Sequence, residues 1–272
     1  MLILSDYHLH SSFSGDSDTP MEDMILRAIE LGLERICFTE HMDFDYPVTQ
    51  SAPRDFFLLN TDSYLYDLIR LREKYRGQIA VLFGIELGLQ PHLAKVHAKY
   101  IKEYDFDFVI ASSHLCNGED VYLSSFYEGK SDKEAYREYF ESILENIRKF
   151  TNFDVYGHLD YVVRYGRSMD RDYFYEDYSD VFEEILKLLI DKGKGIELNT
   201  RGTKYGLKEL HPATKIIKRY RELGGEIITV GSDGHSSADI SQGFELAGEV
   251  LKECGYRYYA VFEKRVVSFL RL

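Results

Sequence analysis

Short apolar runs alternate with amphipathic stretches along this chain, and nearly every run ends in a side chain able to bind a metal ion. The first run, from Met1 to Tyr7, leads into His8 and His10, with Asp16 in the loop beyond. Residues two apart on a strand point the same way, so both imidazoles can converge on one ion from a single strand end. Later runs end in His41, Glu86, His114, His158, and Asp233 with His235. In an open sheet the outer strands lie too far apart to share a site, whereas a barrel gathers all its strand C-termini around one centre. The pattern therefore constrains the fold to an α/β barrel with a metal site at the C-terminal ends of its strands.

Periodicity supplies the elements. Strands are expected at 2–7, 35–39, 79–85, 108–112, 154–156, 195–198 and 226–230, with a last apolar run at 258–262. Helical patterns lie near 20–31, 61–76, 91–103, 132–149, 179–192, 212–223 and 239–254. Thr19, Pro20 and Glu22 read as a capping box that opens the first helix, and Gly32, Gly77, Gly193 and Gly224 as helix ends. Seven strand–helix units are one short of the usual barrel, so a distorted (β/α)7, TIM-like barrel is expected. With no linker, repeat or low-complexity tract, residues 1–272 read as one domain. Long loops at 42–60, 115–131 and 160–178, rich in Tyr, Phe, Asp and Arg, would surround the site.

Composition narrows the partners. The formal net charge of −13 disfavours nucleic-acid phosphates but permits a small anionic substrate drawn in by metal ions. The 3 cysteines, Cys37, Cys116 and Cys254, form no CxxC pair, which suits a reducing cytoplasm and argues against a disulfide framework. The opening apolar run is too short for a signal peptide, and no run approaches membrane-spanning length. A cytoplasmic protein with no membrane or nucleic-acid partner is expected.

Taken singly, each motif has an ordinary reading: His8 and His10 as solvated strand-end residues, His114 and His158 as structural histidines, Glu40 as a structural partner. Together, six His, two Asp and one Glu recur at one end of the strands. One ion takes three or four protein ligands, so this set suits two or three divalent ions, and mixed imidazole and carboxylate donors fit Zn, Fe or Mn. Glu86 is the choice for a bridging ligand, because a carboxylate has two oxygens to share. Arg201 ends the sixth run, where a ligand is missing, and Arg164 lies six residues past His158. The guanidinium fork suits phosphate, so both are candidates for it, with Arg167 and Lys204 behind them. His92, His97 and His211 read as structural or solvated.

The segments DYHLHSSFSGD, FTEH, GIELG, SSHL, GHLDYV and GSDGH, in this order and spacing, resemble the polymerase and histidinol phosphatase (PHP) family over nearly the whole chain. With LNTRG added, the chain is most similar to the monofunctional histidinol-phosphatase branch. The resemblance implies a distorted (β/α)7 barrel with a trinuclear site. By position, His8, His10, Glu86 and Asp233 would hold the first metal, Glu86, His114 and His158 the second, and Asp16, His41 and His235 the third. Asp16 stands where some family members have histidine. The implied activity is a metal-dependent phosphomonoesterase that hydrolyses L-histidinol phosphate in histidine biosynthesis.

In that mechanism the metals would polarise phosphoryl oxygens and lower the pKa of a bridging water, whose hydroxide would attack phosphorus. Arg164 and Arg201 would neutralise the equatorial oxygens. The substrate's cationic end would face the rim, where Asp160 and Tyr161 are candidates beside Asp43, Asp45, Phe126 and Tyr127. Two other readings stay open: a PHP-type phosphatase or phosphodiesterase acting on nucleotides or phosphotyrosine, and a non-catalytic, metal-stabilised binding module.

Overall fold

The computed structural model describes residues 3–272; Met1 and Leu2, which the sequence places at the head of the first run, lie outside the described residues. Seven strands form one parallel sheet in chain order: β1 (Ser5–Leu9), β2 (Arg35–Met42), β3 (Ala80–Gly88), β4 (Phe108–Ser112), β5 (Val155–Tyr156), β6 (Gly195–Asn199) and β7 (Ile228–Gly231). Leu9 bridges to Gly234, and the His10 N–H donates to the Gly234 carbonyl at 2.8 Å, so the last strand returns beside the first. The result is a nearly closed (β/α)7 barrel. Strands β1, β4, β6 and β7 are buried along their whole length, which is why they read as continuous apolar runs rather than alternating ones.

Helices α1 (Met21–Glu30), α2 (Thr61–Lys74), α3 (Ala94–Glu103), α4 (Asp132–Lys149), α5 (Ser179–Asp191), α6 (Thr214–Glu222) and α7 (Phe244–Glu253) flank the sheet. Each buries one stripe; α1 buries Met21, Met24, Ile25 and Ala28, the spacing expected of a core-facing helix. The expected capping box at its start does not form. Pro20 is the cap residue and makes no side-chain bond, while Glu22 pairs instead with Lys74 and Tyr75 of the next unit. The Thr19 hydroxyl bonds the His235 carbonyl at 3.3 Å, so tertiary partners win both groups over the local cap. A complete capping box occurs at α4, between Ser131 and Glu134.

Several strands run further than their apolar pattern. β2 continues through Glu40 and His41, and β3 through Glu86 to Gly88. The main-chain ladder persists where the side chains turn polar, because the barrel mouth still pairs backbone to backbone. The last apolar run becomes β8 (Tyr258–Glu263), which joins β9 (Val266–Arg271) in an antiparallel hairpin outside the barrel sheet. The Tyr7 hydroxyl donates to the Phe262 carbonyl at 2.7 Å and ties that hairpin to β1.

Candidate active site

The barrel brings all nine expected ligand residues together, with Glu86 in the middle and fully buried. β2 and β3 are in register so that His41 lies directly beside Glu86. Glu86 Oε2 lies 3.2 Å from His8 Nε2, 3.5 Å from His10 Nε2 and 3.0 Å from His41 Nδ1. Its Oε1 lies 2.9 Å from His158 Nε2 and 3.2 Å from His114 Nε2. Asp233 Oδ1 is 3.8 Å from His10 Nε2, and the exposed Asp16 reaches His235 Nε2 at 3.0 Å and His41 Nε2 at 3.5 Å. Asp233 takes a φ of 52°, a left-handed conformation uncommon for a side-chain-bearing residue. Such strain persists only where the surroundings impose it.

Partners behind the histidines set which nitrogen faces inward. Glu197 Oε1 accepts from His8 Nδ1 at 2.6 Å, and Asp43 Oδ1 from His114 Nδ1 at 2.7 Å. His235 Nδ1 donates to the Asp233 carbonyl at 3.0 Å. These oxygens only accept, so the proton sits on Nδ1 and the Nε2 lone pair points into the cluster. His10 Nδ1 bonds the Ser14 hydroxyl at 3.1 Å. Gly231 makes the His8–Glu197 contact possible: a Cβ there would meet His8 Cβ at 2.3 Å and Glu197 Oε1 at 2.5 Å. Glu40 faces the Ser11 and Ser14 hydroxyls, and burial pushes its carboxyl up to about 7 against their hydrogen bonds.

The inward atoms fit metal ions. His8 Nε2, His10 Nε2, His41 Nδ1 and Glu86 Oε2 are buried beside one another without hydrogen-bond partners among the described residues. Donors about 3.3 Å apart are what tetrahedral metal bonds of about 2.1 Å produce. Four overlapping groups, His8 with His10 and Asp233, His8 with Glu86 and His158, His41 with Glu86 and His114, and His10 with His41 and His235, each gather their atoms within 4.8 Å.

A cavity of about 310 Å3 opens over the cluster, and Arg164, Arg201 and Tyr161 line it. Arg164 is buried. Its two terminal nitrogens lie 3.3 Å from Asp233 Oδ2, one of them also 3.1 Å from Asn199 Oδ1, and the guanidinium sits over the Tyr161 and Tyr205 rings. Arg201 donates to the Asp233 carbonyl and approaches Asp239 at 3.5 Å. Burial opposes the charge on Asp233, but the Arg201 and Arg164 guanidiniums hold its carboxyl well below the usual range.

Asp160 departs from expectation. It lies two residues past His158 but does not line the cavity; its buried carboxylate accepts from His211 Nδ1 at 2.5 Å and from the Ala213 N–H at 2.9 Å. The chain turns into a 3-10 helix at Tyr161–Arg164, so the strand's alternation stops and Asp160 faces the β6 side. Asp43 is buried behind His114, Asp45 pairs with His92 at the surface, and Phe126 and Tyr127 belong to the core. Arg167 binds main-chain carbonyls of Lys130 and Tyr127, and Lys204 binds Asp239 at 2.7 Å. Glu197 and the supporting role of Asp43 were not anticipated. Their signal was present: an acid inside an apolar strand, and an acid two residues past a strand-end histidine.

Fold and site together define a barrel of the PHP class: residues 6–201 match the PHP domain, and the chain belongs to that family. Within it, the chain falls in the histidinol-phosphatase branch. It is 35% identical to the probable histidinol-phosphatase of Clostridium acetobutylicum, over 97% of this chain and 98% of that one. It is also 35% identical to the histidinol-phosphatase of Lactococcus lactis subsp. lactis, over 94% and 93%. A crystal structure of histidinol phosphate phosphatase from L. lactis subsp. lactis, in complex with zinc, L-histidinol and phosphate, superposes with a TM-score of 0.88 at 32% identity, covering 98% of this chain and 100% of that one.

Proposed function

We propose that this chain hydrolyses L-histidinol phosphate to L-histidinol and phosphate as a metal-dependent phosphomonoesterase of histidine biosynthesis, working in the cytoplasm as one domain. The observation that carries the reading is the division of Glu86, one oxygen toward His8 and His10 and the other toward His114 and His158, beneath a cavity holding two arginines. The ligand sets are His8, His10, Glu86 and Asp233; Glu86, His114 and His158; and Asp16, His41 and His235. When bound, divalent ions supply Lewis-acid polarisation of the phosphoryl oxygens and activation of a water.

The chain's own residues do the rest. Glu197 and Asp43 hold the outer N–H of His8 and His114, so the inner nitrogens stay bare and aimed. Arg164 is locked by Asp233, Asn199 and two tyrosine rings, so its remaining N–H groups and its charge are held in place for the phosphoryl oxygens without first being ordered. Arg201 adds a second positive charge from the end of β6, and Tyr161 forms the wall beside His158. The complete ligand set argues against a non-catalytic module, and the net charge of −13 supports a small substrate over a polynucleotide. Among the described residues no helix is long and apolar enough to cross a membrane.

A substrate panel tests this. L-histidinol phosphate should show the highest kcat/KM against nucleoside monophosphates, phosphotyrosine and p-nitrophenyl phosphate. A chelator should abolish the activity, and Zn, Mn or Fe(II) should restore it. A better nucleotide or phosphotyrosine substrate, or activity indifferent to chelation, would overturn the reading.

A further inference from the structure

Three buried carboxylates stand behind the histidine cluster. Glu197 and Asp43 accept directly from imidazoles, those of His8 and His114. The third, Glu40, is fully buried on β2 beside His41 and directs its oxygens at the loop between His10 and Asp16. Successive residues of a strand face opposite ways, so Glu40 turns away from the side that presents His41. Its Oε1 accepts from the Ser11 hydroxyl at 2.5 Å and its Oε2 from the Ser14 hydroxyl at 2.5 Å, and the Ser11 N–H lies 3.1 Å from both oxygens. The two hydroxyl contacts have the length of charge-assisted bonds.

The Ser14 hydroxyl carries this arrangement to the metal ligands. Besides Glu40 it meets the His41 N–H at 3.1 Å and His10 Nδ1 at 3.1 Å. A hydroxyl has one hydrogen and two lone pairs. The His41 N–H can only donate, so it takes one lone pair. A carboxylate can only accept, so it takes the hydrogen. One lone pair is left for His10, whose Nδ1 must then carry the proton. The bare Nε2 faces Glu86 Oε2 at 3.5 Å and Asp233 Oδ1 at 3.8 Å. Without Glu40 the Ser14 hydrogen is free to turn toward His10 Nδ1, which drives the imidazole proton to Nε2 and blocks the ligating lone pair.

We propose that Glu40 is a positioning residue that acts through the Ser14 hydroxyl to hold His10 in its metal-ligating tautomer. This rests on His10 being a metal ligand. Four variants test it: Glu40→Met, which fills the space but cannot accept, Ser14→Ala, the two combined, and Ser14→Thr, which keeps the hydroxyl. Zinc affinity is read by competition with a calibrated chelator, and the His10 tautomer by ring-nitrogen NMR shifts of the metal-free protein. Both are read at mildly alkaline pH, above the value of about 7 to which burial pushes Glu40. Glu40→Met and Ser14→Ala should each weaken zinc by about 10- to 100-fold, the scale of losing the partner behind a ligating histidine. The double variant should bind no more weakly than Ser14→Ala alone, because Glu40 has no other route to His10. Ser14→Thr should bind as the wild type. In Glu40→Met the His10 proton should appear on Nε2.

Wild-type zinc affinity in Glu40→Met or in Ser14→Ala overturns the assignment. A lower Tm in Glu40→Met with His10 still protonated on Nδ1 marks a residue that only braces the loop, and overturns it too. Losses that multiply in the double variant show independent roles and do the same. Should Glu40→Met fail to fold, the Ser14 pair still decides: equal affinities in Ser14→Ala and Ser14→Thr refute the relay. A wild-type protein that binds no zinc instead overturns the metal-site reading, and this inference falls with it.

Discussion

Replacing Glu197 with glutamine should expose how the site is tuned from behind. The carboxylate serves three donors: His8 Nδ1 through Oε1, and the His158 N–H at 3.0 Å and Asn199 Nδ2 at 3.2 Å through Oε2. Glutamine has one accepting oxygen and one donating amide, so it cannot satisfy both sides. With the amide toward His158 and Asn199, buried donors face donors, at about 1–3 kcal/mol for each one left unpaired. Asn199 keeps its contact to Asp233 Oδ2 at 3.3 Å, so the cost falls mainly on the His158 N–H. With the amide toward His8 instead, Nδ1 must accept, and the proton moves to Nε2, where it blocks the lone pair aimed at Glu86. That arrangement should lower metal affinity by about 10- to 100-fold, the usual cost of losing the partner behind a ligating histidine. Competition with a calibrated chelator reads the affinity, and thermal unfolding of the apo-protein reads the stability. One or both must fall. A Glu197→Gln protein with wild-type metal affinity and wild-type stability would refute the reasoning.

Three further variants separate the remaining roles. Glu86→Gln should lose metal at two positions, because both of its oxygens are engaged; full metal content by atomic spectrometry, with full activity, would sink the bridging assignment. Arg201→Lys keeps the charge but loses the fork, and kcat/KM should fall by about 2–4 kcal/mol in barrier with metal content unchanged; Arg164→Ala should follow the same direction, and wild-type kinetics in either would remove it from phosphate binding. Asp160→Asn should lower Tm, by about 1–3 kcal/mol in stability, through its buried bonds to His211 and Ala213; a raised KM for L-histidinol phosphate at unchanged Tm would restore it to the substrate pocket.

The ligand residues were legible because of how a β/α barrel is wired. Each strand runs toward the same mouth, so a His, Asp or Glu at the end of an apolar run is delivered there by chain order alone. The rule carried His8, His10, Glu86, His114, His158 and Asp233 to one centre and placed Arg201 beside them, whereas Arg164 arrives from the 3-10 turn that follows β5. It failed at Asp160, where a 3-10 turn ended the strand's alternation. It also failed at Thr19 and Glu22, where a correct local capping pattern lost its groups to His235 and Lys74.

By itself the sequence determined which kinds of donor stand at which strand end, because covalent order and two-residue alternation are local properties. Only the tertiary structure decided which atom faces which. Glu86 divides its oxygens, Glu197 reaches His8 past β7, and Asp43 backs His114. Those contacts join residues up to 189 positions apart, as His8 and Glu197 are. They depend on strand register, on the closure of β7 against β1, and on a glycine at 231 that leaves room for two side chains to meet. Such distances between distant segments are set by packing, which no local pattern encodes.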